Sequence, residues 1–375
     1  MQHVHMRNRL TAMFGIEVPV FAFTHAPDVA VAVTNAGGMG ALACSYYQPD
    51  ELEAILSDMD ARTQGRPYGI DVLFANKVGT VVPLAERETT LPSAHLAFVD
   101  RLLVDGGIPE LTRDAEARFR SEKTPGHGHT EEGVMEVLEI VLRHPQAKFV
   151  VSAMGAPPAA VVDRLHGHGI RVAAMAGSAE HAGKHVAAGV DIVIAQGSEA
   201  AGHTGTIASM VLWPDVVDRV SPVPVLGAGG VGTGRHIAAA LALGCEGVWA
   251  GTIWLGARES ELTPALRQRY IQARAQDAIQ QKFTTGKPLR SLRSKWTDAW
   301  GAADAPEPLP LASQKLLVAP ALKRIEEADA VDWISYSAGQ IVGRITQETT
   351  IDALMADLKR EFAEAMQALG RYSAD

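Results

Sequence analysis

The sequence is poor in cysteine, in long apolar runs and in positive charge, and each shortage excludes a class of protein. Only two cysteines, Cys44 and Cys245, occur in 375 residues, which excludes a disulfide framework and indicates a reducing compartment. No apolar stretch approaches the ~20 residues of a membrane span, and the N-terminus has no signal-peptide core. The net charge of −9 argues against a dedicated nucleic-acid binder. We therefore expect a soluble, cytoplasmic protein.

What the sequence has instead is an alternation of short apolar strands and helices. Strands that alternate with helices pair in parallel, and eight of them predict a (β/α)8 barrel of the TIM type, in the α/β class. The eight strand candidates are residues 17–23, 41–44, 68–74, 148–153, 170–175, 190–195, 224–226 and 247–250. The helix candidates are residues 27–36, 49–62, 158–168, 179–188, 234–243 and 349–369.

Two segments interrupt this alternation. The first, residues 76–146, follows the third strand as a long excursion, and the second, residues 258–323, follows the eighth strand. Residues 259–281 in the second segment predict a polar helix, so we expect an inserted helical cap subdomain there, with residues 1–257 and 324–375 forming the barrel. Both segments leave from the C-terminal ends of strands, where active sites are built in such barrels, so we expect them to lie together over the mouth.

The stretch from Asp191 to Gly205 is the first candidate for chemistry. A buried strand is followed by a glycine-rich loop, and this stretch contains Gln196, Glu199 and His203. An imidazole titrates near neutrality, so His203 can act as a general base or, once protonated, hold an anion. The alternative interpretation is a hydrogen-bonded core histidine.

Two further turns come after strands 7 and 8, the strands whose loops bind phosphate in many barrels of this type. The first is the glycine-rich run 227–234, and the second is residues 250–252. Backbone N–H groups in such turns and a helix N-terminus can hold an anion. A tight turn that requires positive φ is the alternative for either turn alone. The first turn lacks the acidic residue that a dinucleotide-binding motif would place on the ribose.

These motifs, with residues 68–74 and 337–340, resemble those of the nitronate monooxygenases, formerly called 2-nitropropane dioxygenases. The resemblance implies an FMN-dependent TIM-barrel enzyme with His203 as the catalytic base. The residues that it places on the cofactor are Gln196, Gly197, Gly202, Gly229, Gly230, Ala250, Gly251, Thr252, Asp71, Ala22 and Phe23. Asp71 stands where an asparagine is usual, and a carboxylate there would repel an anionic reduced flavin unless it is protonated or turned away.

The substrate is less defined than the cofactor. His25 follows the first strand, and a basic cluster at residues 282–295 contains Arg290 and Arg293. If this cluster faces the mouth, it predicts an anionic substrate such as a coenzyme A ester, whereas a solvated surface is the alternative. We expect no metal site, and the sequence leaves the oligomeric state open, with a homodimer as one option.

Three functions are compatible with these residues. The first is a nitronate monooxygenase that uses O2 to convert alkyl nitronates to a carbonyl compound and nitrite. The second is an NAD(P)H-dependent reductase of an enoyl thioester or a quinone on the same scaffold. The third is a flavin- or nucleotide-binding module without catalysis, which would not need His203.

Overall fold

The structure is a computed structural model that describes residues 6–45, 47–74, 91–122 and 131–372. Eight parallel strands close into a barrel in which each strand pairs with the next and β8 pairs with β1. The TIM-barrel prediction is therefore confirmed. The strands are β1 (Val20–Thr24), β2 (Met39–Ala43), β3 (Tyr68–Val72), β4 (Ala147–Ser152), β5 (Arg171–Ala176), β6 (Ile192–Gln196), β7 (Val225–Ala228) and β8 (Gly247–Ala250).

The strands are apolar on both faces because both faces are covered. Their inner side chains meet in one cluster, in which Phe21, Phe149 and Trp249 are the largest members. Their outer side chains pack beneath the surrounding helices in two further clusters. Continuous apolar runs of this kind are typical of parallel sheets covered on both sides.

Helices surround the barrel and also build the cap. Helix α1 (Arg9–Phe14) precedes β1 and inserts Leu10 and Phe14 into the inner cluster, so it closes the N-terminal end of the barrel. The helices outside the cap segment are α2 (Pro27–Asn35), α3 (Pro49–Thr63), α4 (Ser93–Asp105), α5 (Arg113–Glu122), α6 (Glu131–Val141), α7 (Ala159–Gly167), α8 (Ala179–Ala187), α9 (Ser209–Val220), α10 (Gly234–Ala242) and the C-terminal α14 (Ile351–Gly370).

The start of β2 differs from the sequence prediction. The strand begins at Met39, two residues before the predicted start, although glycines precede Ala41. A Cβ on Gly40 would lie 2.0 Å from the carbonyl oxygen of Ala30 in α2. This glycine therefore serves the close packing of helix on strand and does not end the secondary structure.

The prediction of one polar helix over residues 259–281 is wrong. A helix covers only α11 (Pro264–Gln272), and β9 (Ala278–Gln281) pairs antiparallel with β10 (Leu289–Leu292). Gly286, at φ +76°, lies in the turn between the two strands, where glycine adopts the left-handed backbone without strain. Helices α12 (Lys295–Trp300) and α13 (Leu311–Glu327) complete the segment.

The two interrupting segments share a hydrophobic cluster of their own. Phe98 of α4 meets Trp300 of α12 edge to face, with ring centroids 4.9 Å apart. Arg324 of α13 donates hydrogen bonds of 2.8 Å to the carbonyls of Ile108 and Pro109. Helix α6, by contrast, packs against α3 in a cluster beneath the barrel helices. The rest of the predicted excursion, residues 76–90 and 123–130, lies outside the described residues.

The predicted boundary of the cap at residue 323 falls inside α13, and the shared cluster continues to Ile345. We propose that the barrel and the cap form two structural units, and that the cap extends through the end of α13. Among the helices of the described residues, none is long and apolar enough to cross a membrane.

Candidate active site

The loop after β6 turns sharply because its first residue has no room for a side chain. β6 ends at Gln196, which by alternation shares the inner face of its strand with the interior isoleucines. Gly197 then donates its N–H to the carbonyl of Ala228 in β7, at 2.9 Å. A Cβ on Gly197 would lie 2.1 Å from Oγ of Ser209, at the start of α9. Glycine is thus required where β6 leaves the barrel.

The β9–β10 hairpin of the cap holds His203 in place. Gly202, at φ +73°, exchanges two backbone hydrogen bonds with Arg290, of 2.9 and 2.7 Å. Nδ1 of His203 lies 2.9 Å from the carbonyl oxygen of Pro288. A carbonyl oxygen only accepts, so Nδ1 carries the hydrogen in this bond, and the neutral ring presents Nε2 as an acceptor. The exposed imidazole is therefore oriented as a base that uses Nε2.

The turns after β7 and β8 offer a set of unpaired donors. Gly229 and Gly230 have φ of +101° and +68°, a conformation in which successive N–H groups can line a concave anion site. Among the described residues, no acceptor forms a hydrogen bond with the backbone N–H groups of Gly230, Val231 and Gly251. A Cβ on Gly251 would have only Phe23 within 4 Å, so this turn also leaves open space. The donor set and the cradle fit a phosphate group.

The N-terminus of α10 is not part of this cradle, contrary to the sequence prediction. Gly234 donates its N–H to a carboxylate oxygen of Glu361 in α14, at 2.9 Å, and Thr233 caps the same helix with its hydroxyl oxygen. A carboxylate of the protein thus already occupies the position where an anion was expected.

Residues 337–340 tie the loops of β6 and β8 together. Gly339 donates its N–H to Oγ1 of Thr252, at 2.9 Å, and Gln340 donates to the carbonyl of Glu199, at 2.9 Å. A Cβ on Gly339 would lie 2.8 Å from that same carbonyl oxygen. Since the Thr252 oxygen accepts this bond, its own hydrogen stays available to donate.

The end of β1 supplies an aromatic wall. Phe23 lies on the inner face, 6.0 Å between ring centroids from Trp249, and His25 packs on Phe23 edge to face at 5.2 Å. Desolvation by the surrounding protein lowers the pKa of His25, although the residue as a whole remains exposed. Ala22 and Ala250 pair with one another and turn their methyl groups toward the outer helices, so only their backbone can reach a ligand.

Asp71 is a buried acid on the inner face of the barrel, near the mouth. Its Oδ2 has no hydrogen-bond partner in the part of the chain that the structure describes. Desolvation by burial raises the pKa of this carboxyl to about 8. Burial therefore favours the neutral acid at pH 7, which reduces the repulsion expected from a carboxylate.

Comparison with known proteins identifies the family. The sequence model of the nitronate monooxygenases matches residues 107–361. A Mycobacterium tuberculosis protein, Rv1533, which bears the provisional name of a monooxygenase, is 41% identical over 97% of this chain and 98% of its own length. The chain belongs to the nitronate monooxygenase family. The family is one of flavin-dependent oxidoreductases, and this member is an enzyme of that class.

More distant relatives agree with this assignment. A Staphylococcus saprophyticus protein named probable nitronate monooxygenase is 25% identical over 96% of this chain and 99% of its own length. The solved structure of a nitroalkane oxidase from Streptomyces ansochromogenes is 26% identical, covers 96% of this chain and all of its own, and has a TM-score of 0.77. FabK from Thermotoga maritima has a TM-score of 0.72 at 23% identity over 98% of this chain and 99% of its own, which shows the shared fold.

In this member of the nitronate monooxygenase family, the two predicted substrate arginines are engaged within the protein. The guanidinium of Arg290 donates to the carbonyl of Ser198, at 3.0 and 3.1 Å, and to that of Ala278, at 2.6 Å. Arg293 pairs with Asp298 at 2.6 Å on the surface. Neither guanidinium is therefore free to attract an anionic substrate, and the prediction of an anion site there loses its support.

Two residues that matter to the nitronate monooxygenase loops escaped the sequence analysis. Ser209 donates its hydroxyl to the carbonyls of Ala228 and Gly229, at 3.1 and 3.2 Å, and its N–H meets the carboxylate of Glu199. Pro288 supplies the carbonyl that orients His203. The signal for Ser209 was its place at the start of a helix after a glycine-rich loop, whereas no local signal marks Pro288.

Proposed function

We propose that this protein is an FMN-dependent nitronate monooxygenase, which oxidises alkyl nitronates with O2 to a carbonyl compound and nitrite. The observation that carries the proposal is the hydrogen bond from Nδ1 of His203 to Pro288, which leaves Nε2 as an oriented base on the loop of β6. The β7 turn, with its anion cradle, is bonded directly to the start of this loop. The family assignment and the nitroalkane oxidase likeness support the same chemistry.

The residues of the barrel suit FMN by their donor chemistry. The N–H groups of Gly230, Val231 and Gly251 and the hydroxyl of Thr252 would hold the phosphate. Gln196, Gly202 and Asp71, together with the aromatic wall of Phe23, would contact the ring system. When bound, FMN supplies the redox chemistry that no amino-acid side chain of the site can provide.

The role of His203 follows from its free nitrogen. With a neutral nitroalkane, Nε2 would accept the proton from the carbon next to the nitro group. With a nitronate, which has already lost that proton, the imidazolium form would hold the negative oxygens in place. Both roles need the same ring orientation, which the carbonyl of Pro288 fixes. The protein would therefore use one side chain to accept either form of the substrate.

Anaerobic mixing tests the proposal. The FMN-loaded protein is mixed without O2 with the nitronate of a simple nitroalkane, and separately with NADH and NADPH, while flavin absorbance is recorded. We expect bleaching by the nitronate, followed by nitrite release and recovery of the absorbance when O2 is admitted. Rapid bleaching by NADH or NADPH with no response to nitronate would replace the monooxygenase with the reductase of enoyl thioesters or quinones.

The cofactor itself needs a separate measurement. The flavin released by denaturing the purified protein is separated and identified by its retention and mass. We expect FMN, because the cradle fits one phosphate group. Release of FAD, or a colourless protein that takes up no added FMN, would overturn this part of the proposal.

A further inference from the structure

The position of Asp71 follows from the pleat of β3. Gly69, two residues earlier, faces the barrel interior, since a Cβ there would lie 2.9 Å from the ring of Phe149 and 3.1 Å from Cβ of Ala41. Side chains alternate along a strand, so Asp71 points to the same interior, one step nearer the C-terminal mouth. Below it the barrel is filled by the apolar inner cluster. The carboxyl thus lies above the apolar inner cluster, at the end of the barrel that carries the phosphate cradle.

Among the described residues, the surroundings of Asp71 offer no group that would stabilise a negative charge. Directly after β2, the titratable neighbour is Cys44, whose own pKa is raised by burial and then by Asp71. From β4, the register partner is Val151, and across the barrel the inner face presents Phe23 and Trp249. Among the described residues no cation acts on Asp71, and Oδ2 lacks any partner. A buried acid without a partner is costly to keep unless a ligand uses it.

We propose that Asp71 is the proton-dependent contact of the flavin: as a neutral carboxylic acid it donates its O–H to an acceptor of the ring system, and cofactor affinity falls when this proton is lost. The inference rests on the proposed binding of FMN in this barrel. It goes further in stating that one titrating side chain regulates how tightly the cofactor is held.

The physical reason lies in what each form of the group can do. A carboxylic acid is a hydrogen-bond donor, whereas a carboxylate only accepts. Ionisation would therefore remove the donor and at the same time place an unpaired charge in an apolar setting against the ring. Binding of an acceptor to the acid holds the proton in place, so proton loss and cofactor loss are linked. An amide at this position would donate in the same way without titrating.

The test compares equilibrium binding of FMN to the apoprotein across pH, without turnover. FMN fluorescence is titrated between pH 6 and pH 9.5 with the unmodified protein, with Asp71→Asn and with Asp71→Ala. We expect similar affinities for the unmodified protein and Asp71→Asn at pH 6. Above pH about 8, the FMN dissociation constant of the unmodified protein should rise with a slope that approaches about tenfold per pH unit. The dissociation constant of Asp71→Asn should lack this rise. Asp71→Ala should bind more weakly throughout the acid range.

Comparison of the variants cancels any titration of FMN itself, because the ligand is the same. Should Asp71→Asn fail to fold, Asp71→Ser provides a second donor that does not titrate in this range. Infrared difference spectra of the unmodified protein give an independent readout, since a protonated carboxyl band should shift on FMN binding and be absent without Asp71.

Two outcomes would overturn the inference, and only one of them would also overturn the proposed function. If FMN binds and the pH profiles of the unmodified protein and Asp71→Asn coincide, Asp71 is no proton-dependent contact, and the proposed function stands. If FMN fails to bind at every pH, the proposed function fails together with the inference.

Discussion

The loops that would hold the cofactor and the loop that carries the base share the support of residues 337–340, but their other contacts come from different parts of the chain. The turns after β7 and β8 are bonded to Ser209 of α9 and to Gly339, next to the barrel. The loop of His203 is bonded to Arg290 and Pro288, which belong to the β9–β10 hairpin of the cap. Changes in the barrel should therefore act on flavin binding, and changes in the cap on turnover.

The largest expected effect is that of His203→Ala, which removes the proposed base and leaves the phosphate cradle intact. We expect a loss of roughly 10²- to 10⁴-fold in turnover with flavin content unchanged, the usual range for a general acid or base. Steady-state nitrite release and flavin absorbance measure the two quantities. His181→Ala, at an exposed histidine of α8, is the matched control. Near-normal turnover in His203→Ala would return this histidine to a structural role.

The second effect is a pH dependence of the free energy of unfolding, which arises from Asp71 in the barrel and not from the cap. The folded pKa of Asp71, about 8, lies above its ordinary value of 3.8, so the folded protein holds this proton after the unfolded chain has lost it. Stability from this group is thus complete below pH about 4 and is lost as pH rises to about 8, by at most about 1.4 kcal/mol per pH unit. Urea unfolding of the apoprotein should show a smaller decline for Asp71→Asn. Parallel pH profiles would show that Asp71 ionises freely.

The third effect should separate the cap from the barrel. Arg290→Ala leaves the carbonyls of Ser198 and Ala278 without their donor and loosens the loop of His203. We expect roughly 1–3 kcal/mol lower stability and about a tenfold lower kcat, with FMN affinity close to normal. The control is Arg293→Ala, in which only a surface ion pair with Asp298 is lost and little should change. A KM for anionic substrates that rises in both variants, more steeply at low salt, would restore the anion site predicted from the sequence.

The smallest effect should come from the cradle itself. Gly230→Ala forces a side chain into φ +68° and places Cβ 3.3 Å from Cγ of Glu199. The strain of about 1 kcal/mol should raise the FMN dissociation constant about fivefold, with kcat of the loaded enzyme retained. Gly65→Ala is matched in backbone strain, at φ +85°, with nothing within 4 Å of the new Cβ. Equal FMN affinities in the two variants would show that Gly230 does not shape the phosphate site.

The barrel could be predicted from the sequence because each strand is apolar on two faces and each carries its own signal. Helix α9 was missed since Pro214 lies within it, which argues locally against a helix. The false helix over residues 259–281 came from polar composition, and a hairpin became apparent only through the pairing of Ile279 with Ser291. The local sequence pattern thus predicts the buried strands of the barrel, whereas the surface hairpin is recognised only from the pairing of its two strands.

The sequence predicted the residues of the candidate site better than it predicted their hydrogen-bond partners. His203 and the cradle glycines are marked by their place after strands. The bond between His203 and Pro288 joins residues 85 positions apart, and no spacing rule predicts it. Arg290 was misread for the same reason: a cationic side chain in a basic stretch indicates an anion site, until the carbonyls of Ser198 and Ala278 are seen to occupy it.

The bond between Gln340 and Glu199 also bears on the order in which the enzyme is made. Synthesis proceeds from the N-terminus, so the loop of His203 is complete long before the hairpin and residues 337–340 exist. Until they arrive, the loop lacks the contacts that fix the imidazole. A chain released before the β9–β10 hairpin would carry all eight strands of the barrel and still have no oriented base, so the reaction should begin only after the hairpin has been made.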